Sequence, residues 1–494
     1  MKKTLIFAMC VFSLASCKKF IDINKNPNDP TAAPAKVLLP NTSIGIGWAN
    51  ANELGRAASI FVQYNAGIGN NPATYDSYNI AGTFDNQWDY EIYSNVVNNL
   101  RIIIRDNEAN NPAYSGIAKI QLAYIMSIAT DMWGNVPYSQ AGFGLELQQP
   151  RYDKQEDIYK GNATLGIVGL FDLVKSGVAD LNKPSVLKPA TDDIIYSGNL
   201  ANWKRAANSL LIKFAITVSG VDKPLATSTI NAALASADGI IDDPKYDLNV
   251  PFSTTLNNQN PNYIQDWSGT FRDNQTLSTR MLTLSRSLND TVRLAKMYTK
   301  PSGKFTGYEN GANVTAPAVA TRSKYNTYVV GGTPAPTLTV GGDAPARLLT
   351  TFQTKFNLAE AALTLGITGV ADTYFKDGIR ASMTAAGMTA AEINNYFATN
   401  PTVVALSGTP ADMLKQIITQ KYLAWVGNGI EAYNDYRRTG YPVLTPSLNA
   451  AGDNPTVIPR RLAYTSKEGN GNPNQPKPRP KTDEKVWWAG GNGN

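Results

Sequence analysis

Residues 410–437 read PADMLKQIITQKYLAWVGNGIEAYNDYR. Leu414, Ile418, Tyr422, Trp425, Gly429, Ala432 and Tyr436 recur at steps of four and three, which places them on one stripe of a helix. Thr409 stands where an N-cap belongs, Pro410 falls in the first turn and Asp412 three residues on completes a capping pattern. The spacing predicts one helix over 410–437 and sets the expectation for the chain: a mainly α fold.

The same periodicity extends outward. Trp88, Ile92, Val96, Leu100 and Ile103 predict a helix over 84–105. Ala118, Leu122, Ile125, Ala129 and Met132 predict another over 113–132, stopped by Gly134 and Pro137. Further helices are expected over 155–182, 200–219, 347–366, 371–386 and 389–398, the last opened by a Thr389…Glu392 capping box. Ala371, Phe375 and Gly378, after a helix carrying Ala359, fit the small-and-aromatic offsets of tetratricopeptide hairpins, and Ala226, Ile230 and Ala233 fit them less closely. The segment 240–345 turns rich in Asn, Pro, Gly, Thr and Tyr and reads as a loop-rich insertion with short strands. One domain over 41–494 is expected: a helical body at 41–239 and 346–445, the insertion, and a C-terminal surface segment from 446. Val486-Trp487-Trp488 is expected to dock that segment.

The start of the chain is a different matter. Lys2 and Lys3 precede eight apolar residues, Leu5 to Phe12, too few to span a bilayer but enough for a signal-peptide core. Leu14-Ala15-Ser16-Cys17 resembles the lipobox of bacterial lipoproteins. On this reading 1–16 is a signal peptide, Cys17 is lipidated, and 17–40 is an extended leader that holds the protein to a membrane. The alternative is an ordinary secretory peptide with an incidental cysteine. Cys10 falls in the removed part, so the mature chain has a single Cys and no internal disulfide.

Composition removes several classes of function. The 494 residues contain no His, which excludes Ser–His and Cys–His pairs and His-ligated metals. A net charge of +6 on this length argues against a nucleic-acid partner. Asp22, Asn24, Asn26 and Asn28 alternate like a calcium loop, but Pro27 and Ala33 occupy its glycine and glutamate positions, so no metal is assigned. Adjacent acids at Asp85/Asp89, Asp153/Glu156/Asp157, Asp192/Asp193 and Asp242/Asp243 sit at helix starts and turns and read as caps. No catalytic residue and no cofactor is expected, although two distant acids meeting in space would make a glycoside hydrolase.

Aromatic rings stack on sugar faces while Asn, Gln, Asp and Arg bond hydroxyls. Tyr263, Asp266, Trp267 and Arg272 combine both in one loop-like stretch, and Trp48, Tyr75 and Tyr308 are the next candidates, followed by Tyr78, Tyr325 and Tyr328. Against this, Tyr263 and Trp267 also suit the anchoring of a long loop.

Ordered motifs then accumulate. Asp131-Met-Trp-Gly-Asn-Val-Pro-Tyr138, Leu288-Asn289-Asp290 with Arg293-Leu294, Ala359 to Ala362, Tyr374 to Met383, Gln420-Lys421-Tyr422 continuing to Gly429–Pro442, Ile458 to Leu462 and Lys485 to Trp488 follow in sequence. Together with the lipobox and leader, this series resembles the SusD/RagB family of nutrient-binding outer-membrane lipoproteins of Bacteroidetes. Thr291-Val292 departs from the family's Pro in the second motif. The resemblance implies a tetratricopeptide-like body and a loop-rich half bearing the ligand. It also implies a cell outer-membrane location facing the exterior, and a SusC-like TonB-dependent transporter over which the protein closes as a hinged lid. The implied ligand is an oligosaccharide or, within the same family, a peptide. Trp133, Pro137 and Tyr138 are expected to turn the chain, and Arg437 and Arg438 to serve the helix end or face the transporter, with Asp435 as salt partner.

Overall fold

The capping pattern before Pro410 is present in the computed structural model: Thr409 and Asp412 bond each other's backbone N–H reciprocally. The helix it opens, Pro410–Ala424, ends where the sequence predicted continuation, and a second helix runs Gly429–Thr439. The break falls at Val-Gly-Asn. Gly427 takes φ +99°, and a Cβ there would sit 3.2 Å from the Val329 side chain. The apolar stripe survives because the halves bury their faces separately. Trp425 lies edge-on to Phe352 at 4.8 Å, while Ile430 and Tyr433 are buried beside Phe61.

The structure describes residues 33–332 and 340–492. Cys17, the signal peptide 1–16 and the leader up to residue 32 lie outside them. The leader as drawn to residue 40 is corrected at its end, since Ala35–Ala51 is a helix. Nearly every side of that helix is buried, from Leu38 and Leu39 to Ala49 and Asn50, so it shows no one-sided stripe, and Pro40 within it further disguised it.

Other predicted helices are subdivided. The 84–105 stretch is a π-helix over Gln87–Val97 followed by an α-helix over Asn98–Asn107. The 155–182 stretch divides into Gln155–Lys160, a 3-10 turn at Ala163–Leu165 and Leu170–Leu181. Pro112–Trp133 is buried along its whole length. The hairpin of Thr351–Thr364 and Ala371–Ala385 matches the offsets read from sequence: a Cβ on Gly378 would lie 2.9 Å from Phe356, and Phe375 packs against that ring at 6.3 Å. Ala226, Ile230 and Ala233 are likewise buried on Lys223–Ala235, which packs on Leu200–Val218.

Within 240–345 the short strands are present, but they pair with the body. Leu248–Val250 is antiparallel to Ala346–Leu349, and Gln275–Leu277 to Asn65–Gly67. Two helices, Thr279–Ser287 and Thr291–Met297, also lie in this span. The C-terminal stretch is only partly a surface segment. Ile458, Leu462, Tyr464 and Trp488 are core residues, and the Trp488 indole donates to Asp131 Oδ1 at 2.8 Å.

Candidate functional site

The Asn65–Gly67/Gln275–Leu277 strand pair brings the 264–275 stretch against the first two helices, and a chain of polar bonds ties them together. Gln265 Nε2 donates to Asn52 Oδ1 at 2.8 Å, and Asn52 Nδ2 to Glu91 Oε1 at 2.6 Å. Trp48 lies against the same Glu91 carboxylate, whose pKa is raised by burial. Arg56 links Glu53, Gln275 and the Phe271 carbonyl at 3.2, 3.0 and 3.4 Å. Tyr75 donates its hydroxyl to Glu53 at 2.5 Å.

Five of the residues read from sequence, Trp48, Tyr75, Asp266, Trp267 and Arg272, therefore gather around this network, with different exposure. Trp48, Trp267 and Arg272 are part-exposed. Trp267 sits on a π-helical turn, Ile264–Ser268; its indole donates to the Tyr325 carbonyl at 2.9 Å, and Lys324 Nζ lies 5.0 Å from its ring centre. Those contacts fix the ring's tilt. Phe271, four residues on, is 57% exposed. Arg272 bonds the Gly269 carbonyl and lies 3.8 Å from Asp273.

The other readings are corrected by burial. Tyr263 and Tyr75 are fully buried, so neither offers a ring face to a ligand; Tyr263 packs under Gly341. Asp266 is buried and accepts from Tyr325 N–H at 2.6 Å and Gln275 Nε2 at 3.4 Å. Burial pushes its pKa up to about 6, against the opposing pull of Lys324. Tyr308 belongs elsewhere: it is nearly buried, and its one hydroxyl proton is shared between the carbonyls of Ala312 and Val314, at 2.9 and 2.7 Å. Tyr78, Tyr325 and Tyr328 are buried too. Asn52, Glu53, Arg56, Glu91 and Phe271 were missed. The helix Glu53–Phe61 is only nine residues long and went unread, although its Glu-x-x-Arg spacing was visible.

A cavity of 1130 Å³ lies apart from this face, between Thr279–Ser287 and Pro410–Ala424. Its walls combine Leu284, Leu288, Val403 and Leu444 with threonines and with Arg280, Glu309, Asp412 and Lys415; Tyr422, its one aromatic, is buried.

Of the acids flagged as caps, Asp193 acts as one, whereas Asp153 and Asp89 form ion pairs. Asp193 accepts from the N–H groups of Ile195, Tyr196 and Gly198 and from the Trp203 indole. Asp153 pairs with Arg151 at 2.6 Å. Among the described residues no cluster of acids suits a metal ion, and no helix is long and apolar enough to cross a membrane.

Arg437 and Arg438 are interior. Arg437 donates to the carbonyls of Asp131 and Arg460, at 2.6 and 2.9 Å, rather than to its own helix end. Arg438 is clamped between Glu360 and Asp435, and Asp435 also holds Lys421 at 2.8 Å. A transporter-facing role for either arginine is excluded by this packing.

A family model described as starch-binding, associating with outer membrane, matches residues 27–465. Solved structures share the architecture. A chitin-binding protein is 24% identical, with TM-score 0.76, 92% of this chain covered and all of that one. A SusD homologue from Bacteroides uniformis is 22% identical, with TM-score 0.74 and coverages of 92% and 98%. A chitin-binding SusD homologue from Flavobacterium johnsoniae is 21% identical, also with TM-score 0.74 and coverages of 92% and 98%. No curated protein matches the chain.

Proposed function

This chain belongs to the SusD-like family, and we propose that it is a surface lipoprotein, anchored through Cys17, that captures an oligosaccharide for a TonB-dependent transporter. The observation that carries the ligand reading is that two part-exposed tryptophans, Trp48 and Trp267, lie on elements tied together by one network of amide and carboxylate groups. Indole faces take the apolar side of a pyranose, while the part-exposed Glu53 and Arg272 are suited to its hydroxyls. The Trp267 indole is held by Tyr325 and Lys324, so little ordering is left to be done on binding. Closure of the protein over the transporter mouth would bury the sugar, and opening would reload it. Anchoring beside the barrel raises the effective concentration, so modest affinity suffices. Capture rather than hydrolysis is supported by the family match and by the engagement of Asp193 as a cap and Asp153 in an ion pair.

The test is a titration of the purified chain with a panel of soluble neutral oligosaccharides. Binding that weakens roughly tenfold in Trp267→Ala, with little change in melting temperature, supports the reading; binding indifferent to Trp267 and Trp48 sinks it. A second reading, capture of a peptide, is favoured by the 1130 Å³ cleft, which offers no exposed ring for a sugar to stack on and joins aliphatic walls to charges of both signs. Peptides in the same panel separate the two.

A further inference from the structure

A second groove lies on another side of the Gln87–Val97 helix, walled by Tyr90, Tyr93 and Asn98 and by the loop 137–150, with Glu468 at its end. Its volume is 620 Å³. Tyr90 is 61% exposed, and Leu145 on the facing loop is 88% exposed, beside Leu147, which lines the groove. An apolar edge this open, next to an unshielded ring, is not needed by the core: Trp88 beneath it is already packed against Trp133 and Tyr152.

The polar side of the groove has a definite sign. Asp89 and Glu468 line it together with Ser94, Asn98 and Gln148, and no Lys or Arg does. Lys467 pairs with Asp89 at 3.4 Å and sits 5.6 Å from the Tyr90 ring centre, which steadies that ring from one side, and Arg101 behind Gly142 bonds the Tyr138 carbonyl. Glu468 is fixed by Asn472 Nδ2, which donates to it at 2.8 Å. Carboxylates and amides without a free cation accept hydroxyl donors and repel uronates and sulfates.

We propose that this groove is a second carbohydrate site, which takes a neutral sugar stacked on Tyr90 with its hydroxyls on Asp89, Glu468 and Gln148. It rests on the oligosaccharide reading above for its ligand class but on separate residues. The Asn52–Glu91 network holds the other side of the same helix, so one neutral chain long enough to reach both would be held at two points, with a gain in avidity.

The test titrates the full chain with maltoheptaose, laminarihexaose and chitohexaose, and with a Lys-rich hexapeptide, using the unsubstituted protein, Tyr90→Ala, Tyr90→Phe, Trp267→Ala and the double alanine variant. Two sugar sites per chain, falling to one in Tyr90→Ala and kept in Tyr90→Phe, are expected, with roughly tenfold weaker binding at the lost site. Residual binding in Trp267→Ala that disappears in the double variant is the same result seen from the other side. One site, lost in Trp267→Ala and unmoved by Tyr90→Ala, overturns this inference and leaves the proposed function intact. One site lost only in Tyr90→Ala overturns the Trp267 face and keeps the groove. Binding of the peptide and of no sugar at Tyr90, or of no probe at all, overturns it. Tyr90 is exposed, so its variants should fold, and an unchanged melting temperature verifies this.

Discussion

Gln265 donates to Asn52 at 2.8 Å across 213 residues of sequence, and through this bond the π-helical turn bearing Trp267 is fixed to the helices bearing Trp48 and Glu91. Asn52 is spent in both directions, whereas Glu91 Oε2 and Gln265 Oε1 have no hydrogen-bond partner among the described residues. Asn52→Ala therefore strands Gln265 Nε2 and leaves Glu91 Oε1 with Gln87 Nε2 alone, at 3.1 Å. We expect a loss of about 1–3 kcal/mol in urea unfolding, together with weaker oligosaccharide binding. Unchanged stability and binding would mean that the two elements are joined by other contacts.

Asp266 titrates in a useful range. Its carboxyl holds a proton up to about pH 6 in the folded chain, against 3.8 for the free side chain. The folded state binds the extra proton, so this group's contribution to stability is fully present below about pH 4 and is lost as pH rises through 6. The span corresponds to about 3 kcal/mol at most. Asp266→Asn should flatten the pH dependence of the melting temperature between pH 4 and 6. An unaltered slope would mean that Asp266 is ionised throughout.

The Arg438 guanidinium and the Glu360 carboxylate are both nearly inaccessible, at 7% and 2% side-chain exposure. Removing one partner leaves a buried charge, so Arg438→Ala should cost about 3–5 kcal/mol. Asp435 would keep Lys421, but Glu360 would lose its ion-pair partner. The double variant Glu360→Leu/Arg438→Leu should lose less than Arg438→Ala alone. Chemical denaturation of the set reads both, and equal losses would contradict a buried pair.

Gly427→Ala probes the break between the last two long helices. A side chain at φ +99° is strained, and Val329 lies 3.2 Å from its Cβ. We expect a lowered melting temperature, equivalent to about 1–3 kcal/mol. A variant of normal stability would mean that this loop relaxes freely.

Much of the architecture was written in local patterns. The reciprocal caps at Thr389 and Thr409, the stop after Trp133 and the Gly378–Phe375 hairpin offsets all depend on residues within a turn or two of one another, and periodicity reports such relations directly. Ala35–Ala51 escaped because burial on almost every side erases the stripe by which a helix is recognised.

The residue types of the proposed sugar-binding face were equally legible, but exposure was not. Nothing in the stretch around Asn260–Trp267 tells which ring turns inward. Tyr263 is buried under Gly341 and Trp267 is left at the surface, because Gly341 and Tyr325 arrive from distant parts of the chain. The same holds for Arg437 and Arg438, whose partners Asp131 and Glu360 lie 306 and 78 residues away. Sequence fixes what a side chain is able to bond and where a helix starts; which partner it meets, and whether water reaches it, is decided only when remote segments pack, since burial is a property of the whole assembly.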